Sequence, residues 1–274
     1  MSSIAALARM LHRGTNVYRS RQDCLQVLHA LERSSPPPSW WTPHCSHFLR
    51  QAESLSTLAS SPSAWRHPVI VVEGLDGTGK TRVARTLAEK LSGVAMGTPP
   101  PQFAEIREIF RGQEEAVARA FYAAANYVAA QAILAASQST VVVVDRWWCS
   151  TCAMALANSC TYETLPASGD VVYRWPEDLP VPSAGFLLCV DEEVRVERIR
   201  RRAPEDAEER RLSSQSEMRR AAMEAYRRTN ILTEVAAPSY RAAVNSILRH
   251  LPTSGVTHSA VPFTQAELAS IDPF

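Results

Sequence analysis

A chain of 274 residues with 46% hydrophobic residues and a formal net charge of +1 can bury one sizeable core and still carry extensions. Its near-neutral charge argues against a general nucleic-acid binder, which carries a basic surplus. No apolar run reaches the roughly eighteen residues that a membrane-spanning helix needs.

Residues 1–22 contain Arg9, Arg13, Arg19 and Arg21, and the first acid is Asp23. Ile4, Leu7, Met10 and Leu11 fit one side of a helix. Arginine and serine without acid is the composition of a mitochondrial targeting segment. The alternative is an ordinary surface helix, which leaves a cytoplasmic location open. Two Pro/Ser-rich pieces, "SSPPPSWWTPHCSH" and "LASSPSAWRHP", read as linkers around a short helix near 46–58. Trp40, Trp41 and Trp65 predict that this stretch docks on a surface. Residues 1–66 therefore read as an extension, 67–252 as the main domain, and 253–274 as a tail with a short helix near 265–271.

In the main domain, continuous apolar runs predict strands at 69–72, 141–144 and 186–190. Helices are predicted at 81–91, 103–110, 115–136, 150–157, 192–202, 210–228 and 240–250. Strands apolar on both faces and separated by helices predict an α/β fold, a parallel sheet between helical layers.

The first strand runs into "EGLDGTGKT", which satisfies G-x-x-x-x-G-K-[ST] at Gly74, Gly79, Lys80 and Thr81. Glycines let successive N–H groups curl around one anion, and the helix that follows adds its positive end. Gly74, Leu75, Asp76, Gly77, Thr78, Gly79, Lys80 and Thr81 are thus expected to hold a nucleoside triphosphate. Lys80 reaches the β- and γ-phosphates, and the Thr81 hydroxyl binds Mg²⁺. Lysine occurs in this arginine-rich chain only at Lys80 and Lys90. An ammonium is a compact point charge, unlike the guanidinium fork.

"VVVVDRWWCS" places Asp145 and Arg146 at the carboxyl end of a second strand, where parallel sheets bind ligands. Asp145 there can hold a metal or its waters, and Arg146 can clamp a phosphate. In "RVERIRRRAPEDAEERR" most arginines belong to a solvated helix face. Ala203–Pro204 interrupts that helix, so at least one of the arginines from Arg198 to Arg202 is expected to close over transferring phosphates. Cys149 and Cys152 form a lone C-x-x-C without a second pair at zinc spacing, so buried thiols in a reduced compartment are expected.

These features in this order resemble the thymidylate-kinase-like nucleoside monophosphate kinases. "EGLDGTGKT" is similar to that family's P-loop, "DRWWCS" to its D-R-[YF]-x-x-S, and "AFYAAANY" sits where it places its acceptor-binding helix. "YRWPEDLPVPSAGFLLCVDEE" is similar to the family's UMP-CMP kinase branch. The resemblance covers about 67–250 and implies a P-loop NTPase three-layer fold, with ATP as co-substrate and Mg²⁺. It implies Lys80, Asp145, Arg146, Arg198 and Arg202 as catalytic residues. Thr81 and Asp145 would organise the metal. Phe121 or Tyr122 would stack on the acceptor base, with Asn126, Arg146 and Ser150 nearby.

Three departures stand out. Asn126 is followed by Tyr127, not by the family's arginine; "MGTPPPQ" lacks the arginine of R-x-P-G-G, with Arg107 as a substitute; and Trp147 replaces a smaller aromatic. The implied reaction is ATP-dependent phosphorylation of a pyrimidine nucleoside monophosphate (CMP, UMP, dCMP or dUMP), with thymidylate as the alternative acceptor. A deoxynucleoside kinase or a P-loop ATPase switch is the more distant reading. The implied partners are small nucleotides, with no nucleic acid and no membrane, and a homodimer is compatible.

Overall fold

The computed structural model describes residues 14–54, 65–201 and 215–270. Most of the acid-free segment, Arg202, Arg210, Arg211 and the Ala203–Pro204 break lie outside the described residues.

Five strands form one parallel sheet in the order β2-β3-β1-β4-β5: β1 (Val69–Glu73), β2 (Val94–Gly97), β3 (Val142–Asp145), β4 (Ala184–Cys189) and β5 (Thr233–Ala236). The three apolar runs became the three central strands. The edge strands β2 and β5 escaped the pattern because both expose residues to solvent and neither is a continuous apolar run. β1 is central and buried at every position. Its side chains alternate faces, and each face has its own core.

Ile70 and Val72 pack with α3 (Lys80–Lys90) and α9 (Tyr240–His250). Val69 and Val71 face the larger core, which includes α5 (Glu115–Ser137), α6 (Trp148–Ser159) and α8 (Ser216–Arg228). This is the three-layer P-loop arrangement that the alternation of runs predicts. The larger core also takes in α1 (Arg21–Glu32), which the sequence pattern did not single out, and α2 (Pro43–Glu53). Val27 and Leu28 of α1 and Phe48 and Leu49 of α2 are fully closed to solvent.

The tryptophans explain how residues before β1 are held. Trp40 and Trp41 lie against Phe110 of α4 (Ala104–Arg111), at centroid distances of 5.5 and 6.0 Å. Trp65 packs on Trp147 at 5.9 Å and donates to Val181 O at 2.6 Å. The W-P-E-D-L run is a second clasp. Asp178 accepts from Tyr127 Oη at 2.6 Å and from the Arg21 backbone N at 2.7 Å, tying α5 to the start of α1. The remaining helices are α7 (Glu192–Arg200) and the short α10 (Gln265–Ala269). No described helix is long and apolar enough to cross a membrane.

Candidate active site

The loop after β1 turns through Gly74 and Gly77 and enters α3 at Gly79, whose φ of 89° suits only glycine comfortably. A side chain at Gly77 would sit 2.8 Å from both Arg195 O and Ile199 Cγ1, so α7 presses directly on the loop. Arg195, buried on α7, donates to Asp76 O at 2.8 Å and is held by Glu192. The arginine-rich run placed Arg195 on a solvated helix face; it is instead buried and fixes the loop's back.

Lys80 is almost closed to solvent and donates to Leu75 O at 2.6 Å. Burial, with Arg146 adding repulsion, pushes its pKa down to about 8. A charge held at that cost, inside a curl of N–H groups, is ready to be repaid by a phosphate.

β3 lies beside β1 with Val72 opposite Asp145, which brings the end of β3 to the loop. Thr81 Oγ1 donates to Asp145 Oδ2 at 2.5 Å. Asp145 Oδ1 is buried and has no hydrogen-bond partner among the described residues. A carboxylate oxygen left bare beside a hydroxyl is the donor set a hard cation takes, so these residues fit Mg²⁺.

Arg146 adopts φ +68°, turning its side chain back across the loop. Its guanidinium binds Asp76, Gly74 O at 3.2 Å and Ser150 Oγ at 3.2 Å. Burial opposes its charge, but Asp76 and its other neighbours outweigh that and raise its pKa.

Beneath it lies Glu73, wholly buried and outside the set of residues expected from the motifs. It accepts from Trp147 N at 2.9 Å, from Ser150 N at 3.2 Å and from the Ser150 hydroxyl, which also meets Tyr226 Oη at 2.9 Å. Burial pushes the Glu73 carboxyl up to about 7, against the lowering effect of those hydrogen bonds. The signal was in the sequence: an acid ending a wholly apolar strand is a buried charge in need of donors. Ser150, expected near a base, is also a knot in this network, its hydroxyl donating to Glu73.

A cleft of about 680 Å³ opens over these groups. Arg107, Tyr122 and Asn126 line it from the α4–α5 side, and Arg198, Arg201 and Tyr240 from the β4–β5 side. Arg198 donates to Thr78 O at 3.2 Å and Pro238 O at 2.9 Å, reaching the P-loop from the helix α7. Of the two aromatics expected to stack on a base, only Tyr122 lines the cleft. Phe121 is buried and stacks on Phe110 at 4.8 Å, because one step along a helix turns it toward the core. Cys149 and Cys152 are both buried thiols.

The thymidylate kinase family matches residues 72–247. UMP-CMP kinase 2, mitochondrial, from Homo sapiens is 34% identical over 191 residues, which are 67% of this chain and 42% of that protein. The chain therefore spans less than half the length of that relative. A solved thymidylate kinase from Candida albicans aligns with a TM-score of 0.52 at 17% identity, covering 73% of this chain and 99% of its own. Deoxyadenosine kinase from M.mycoides aligns at 0.47 and 17%, covering 67% and 98%. The likeness to the Candida albicans structure is one of fold. With the family match running from the end of β1 into α9, the chain belongs to the thymidylate kinase family of nucleoside monophosphate kinases.

Proposed function

We propose that the protein transfers the γ-phosphoryl group of ATP to a pyrimidine nucleoside monophosphate, giving the diphosphate. The observation that carries this reading is the position of Arg146. One guanidinium touches the P-loop through Asp76 and Gly74 and the α6 side of the cleft through Ser150. It stands where a donor phosphate and an acceptor phosphate would meet.

The acceptor phosphate is already anionic, so no strong general base is needed. Catalysis is alignment and charge neutralisation. Lys80 meets the donor phosphates, Arg146 bridges donor and acceptor, and Arg198 closes the donor side. Arg107 brings a buried Nε without a hydrogen-bond partner among the described residues. It lines the cleft and suits the acceptor phosphate. Thr81 and Asp145 would hold Mg²⁺, which would supply positive charge against the phosphates.

CMP, UMP, dCMP and dUMP are the favoured acceptors, supported by the human relative and by Tyr127 standing where an arginine is expected. Thymidylate is the second reading, supported by the family match. Phosphorylation of a nucleoside hydroxyl is disfavoured: it calls for a carboxylate in the segment that follows β2, and the first acid there along the chain, Glu105, is exposed and does not line the cleft. A mitochondrial location goes with the acid-free arginine segment and with the same relative. We place the catalytic unit at 67–252, with 253–274 as a tail and residues 1–66 as an extension whose α1 and α2 pack into the unit's larger core. The test is a coupled assay with ATP and a panel of CMP, UMP, dCMP, dUMP and dTMP. Acceptor-dependent ADP release supports the proposal, and acceptor-independent hydrolysis contradicts it.

A further inference from the structure

Asn126 of α5 and Thr151 of α6 meet in the cleft: Asn126 Nδ2 donates to Thr151 Oγ1 at 2.9 Å. They are 1% and 7% exposed, so water does little for either. Among the described residues the Asn126 amide makes no other hydrogen bond. It keeps an acceptor oxygen and a second N–H, in a cleft also lined by Tyr122 and Met154. The neighbouring Tyr127 offers nothing to a ligand, since its hydroxyl is committed to Asp178 and its ring is buried.

The partner of this amide is a hydroxyl, and a hydroxyl both donates and accepts. With Nδ2 toward Thr151, the hydroxyl accepts. With Oδ1 toward it, the hydroxyl donates, and no hydrogen bond is lost. Turning the amide reverses the order of donor and acceptor on its outer edge. Cytosine presents an amine donor beside a ring-nitrogen acceptor, whereas uracil presents a carbonyl acceptor beside an N–H donor. The two edges are mirror demands, and a reversible amide meets both.

We infer that Asn126 and Thr151 are the base-reading pair of the acceptor site, and that they take cytosine and uracil alike by reversal of the Asn126 amide. This rests on the pyrimidine-nucleotide reading above. Thymine shows the same polar edge as uracil, so the pair does not reject its methyl group; any such discrimination lies elsewhere in the cleft.

Binding without ATP tests this independently of turnover. The dissociation constants of CMP, UMP and ribose 5-phosphate, which carries the phosphate without a base, are measured by calorimetry. The proteins are wild type, Asn126→Ala, Thr151→Val and Thr151→Ser. Wild type binds CMP and UMP within a few-fold of each other. Asn126→Ala and Thr151→Val weaken both nucleotides by about ten- to a hundredfold, the scale of a lost bidentate base contact. Thr151→Ser, which keeps the hydroxyl, restores binding, and ribose 5-phosphate is unchanged throughout.

Three results overturn the inference: unchanged CMP and UMP binding in Asn126→Ala and Thr151→Val, an equal loss for ribose 5-phosphate, or a loss confined to one base in Thr151→Val. Wild-type protein that binds neither nucleotide also overturns it. Binding as expected without phosphoryl transfer to either nucleotide overturns the kinase reading alone.

Discussion

The Glu73 carboxylate holds the Ser150 hydroxyl and the Ser150 and Trp147 backbone N–H groups, and so pins the start of α6 against the end of β1. Ser150 in turn accepts from Arg146. The geometry of the central guanidinium therefore depends on an acid whose hydrogen bonds go to Trp147 and Ser150.

Replacing Glu73 by glutamine tests this link through pH. The carboxyl is raised from an ordinary 4.5 to about 7 in the folded protein, so the folded state holds its proton more tightly. The stability this contributes is fully present below pH 4.5 and is lost as pH rises through 7. Glu73→Gln should match wild type in melting temperature near pH 5 and gain on it as pH rises to 8. A constant difference between the two across that range contradicts the assignment.

Lys80 makes the opposite prediction. Its pKa is lowered from 10.5 to about 8 by burial, so near pH 8 roughly half of the free protein lacks that proton. Phosphates arriving in the loop favour the ammonium and draw the proton back. ATP binding at pH 8 should take up about half a proton, read as a calorimetric enthalpy that varies with the buffer's ionisation heat. The uptake should vanish in Lys80→Met. Enthalpies independent of buffer would contradict a phosphate contact at Lys80.

Asp145→Asn keeps the shape of the side chain and removes the charge next to Thr81. The variant should need at least tenfold more Mg²⁺ for half-maximal turnover, the scale seen when a metal site loses supporting interactions. An unchanged Mg²⁺ titration would remove Asp145 from the metal site.

Tyr127→Phe leaves the half-buried Asp178 carboxylate with one donor fewer. The expected cost is about 1–3 kcal/mol, read as a melting temperature lower by several degrees with the KM for CMP unchanged. A specific rise in KM with normal stability would place Tyr127 in the acceptor site instead.

The parts legible from the sequence were those that local pattern decides. β1, β3 and β4 are continuous apolar runs because both of their faces are covered, and Gly74, Gly79, Lys80 and Thr81 announce the phosphate loop by spacing alone. What stayed hidden depended on partners distant in the chain. β2 and β5 are strands because the sheet's edges accept them, not because VAMG or TEVA demands it. α1 looked like part of an extension, and its burial arises from packing in the core shared with α5. Phe121 and Tyr122 are adjacent and alike, and only the rotation of α5 decides that Tyr122 lines the cleft. Glu73 was visible as an acid closing an apolar strand, but its donors come from residues 147 and 150, which only the pairing of β1 with β3 brings near.

The most direct test of the account is transfer of a labelled γ-phosphoryl group from ATP to CMP or UMP by wild-type protein and by Arg146→Ala. Labelled CDP or UDP should form with one ADP per transfer. Arg146→Ala should lose most of that transfer, on the order of a hundredfold or more, while still binding ATP and melting cooperatively. Label released as inorganic phosphate irrespective of acceptor, or wild-type transfer by Arg146→Ala, would contradict the claim that this guanidinium joins donor and acceptor.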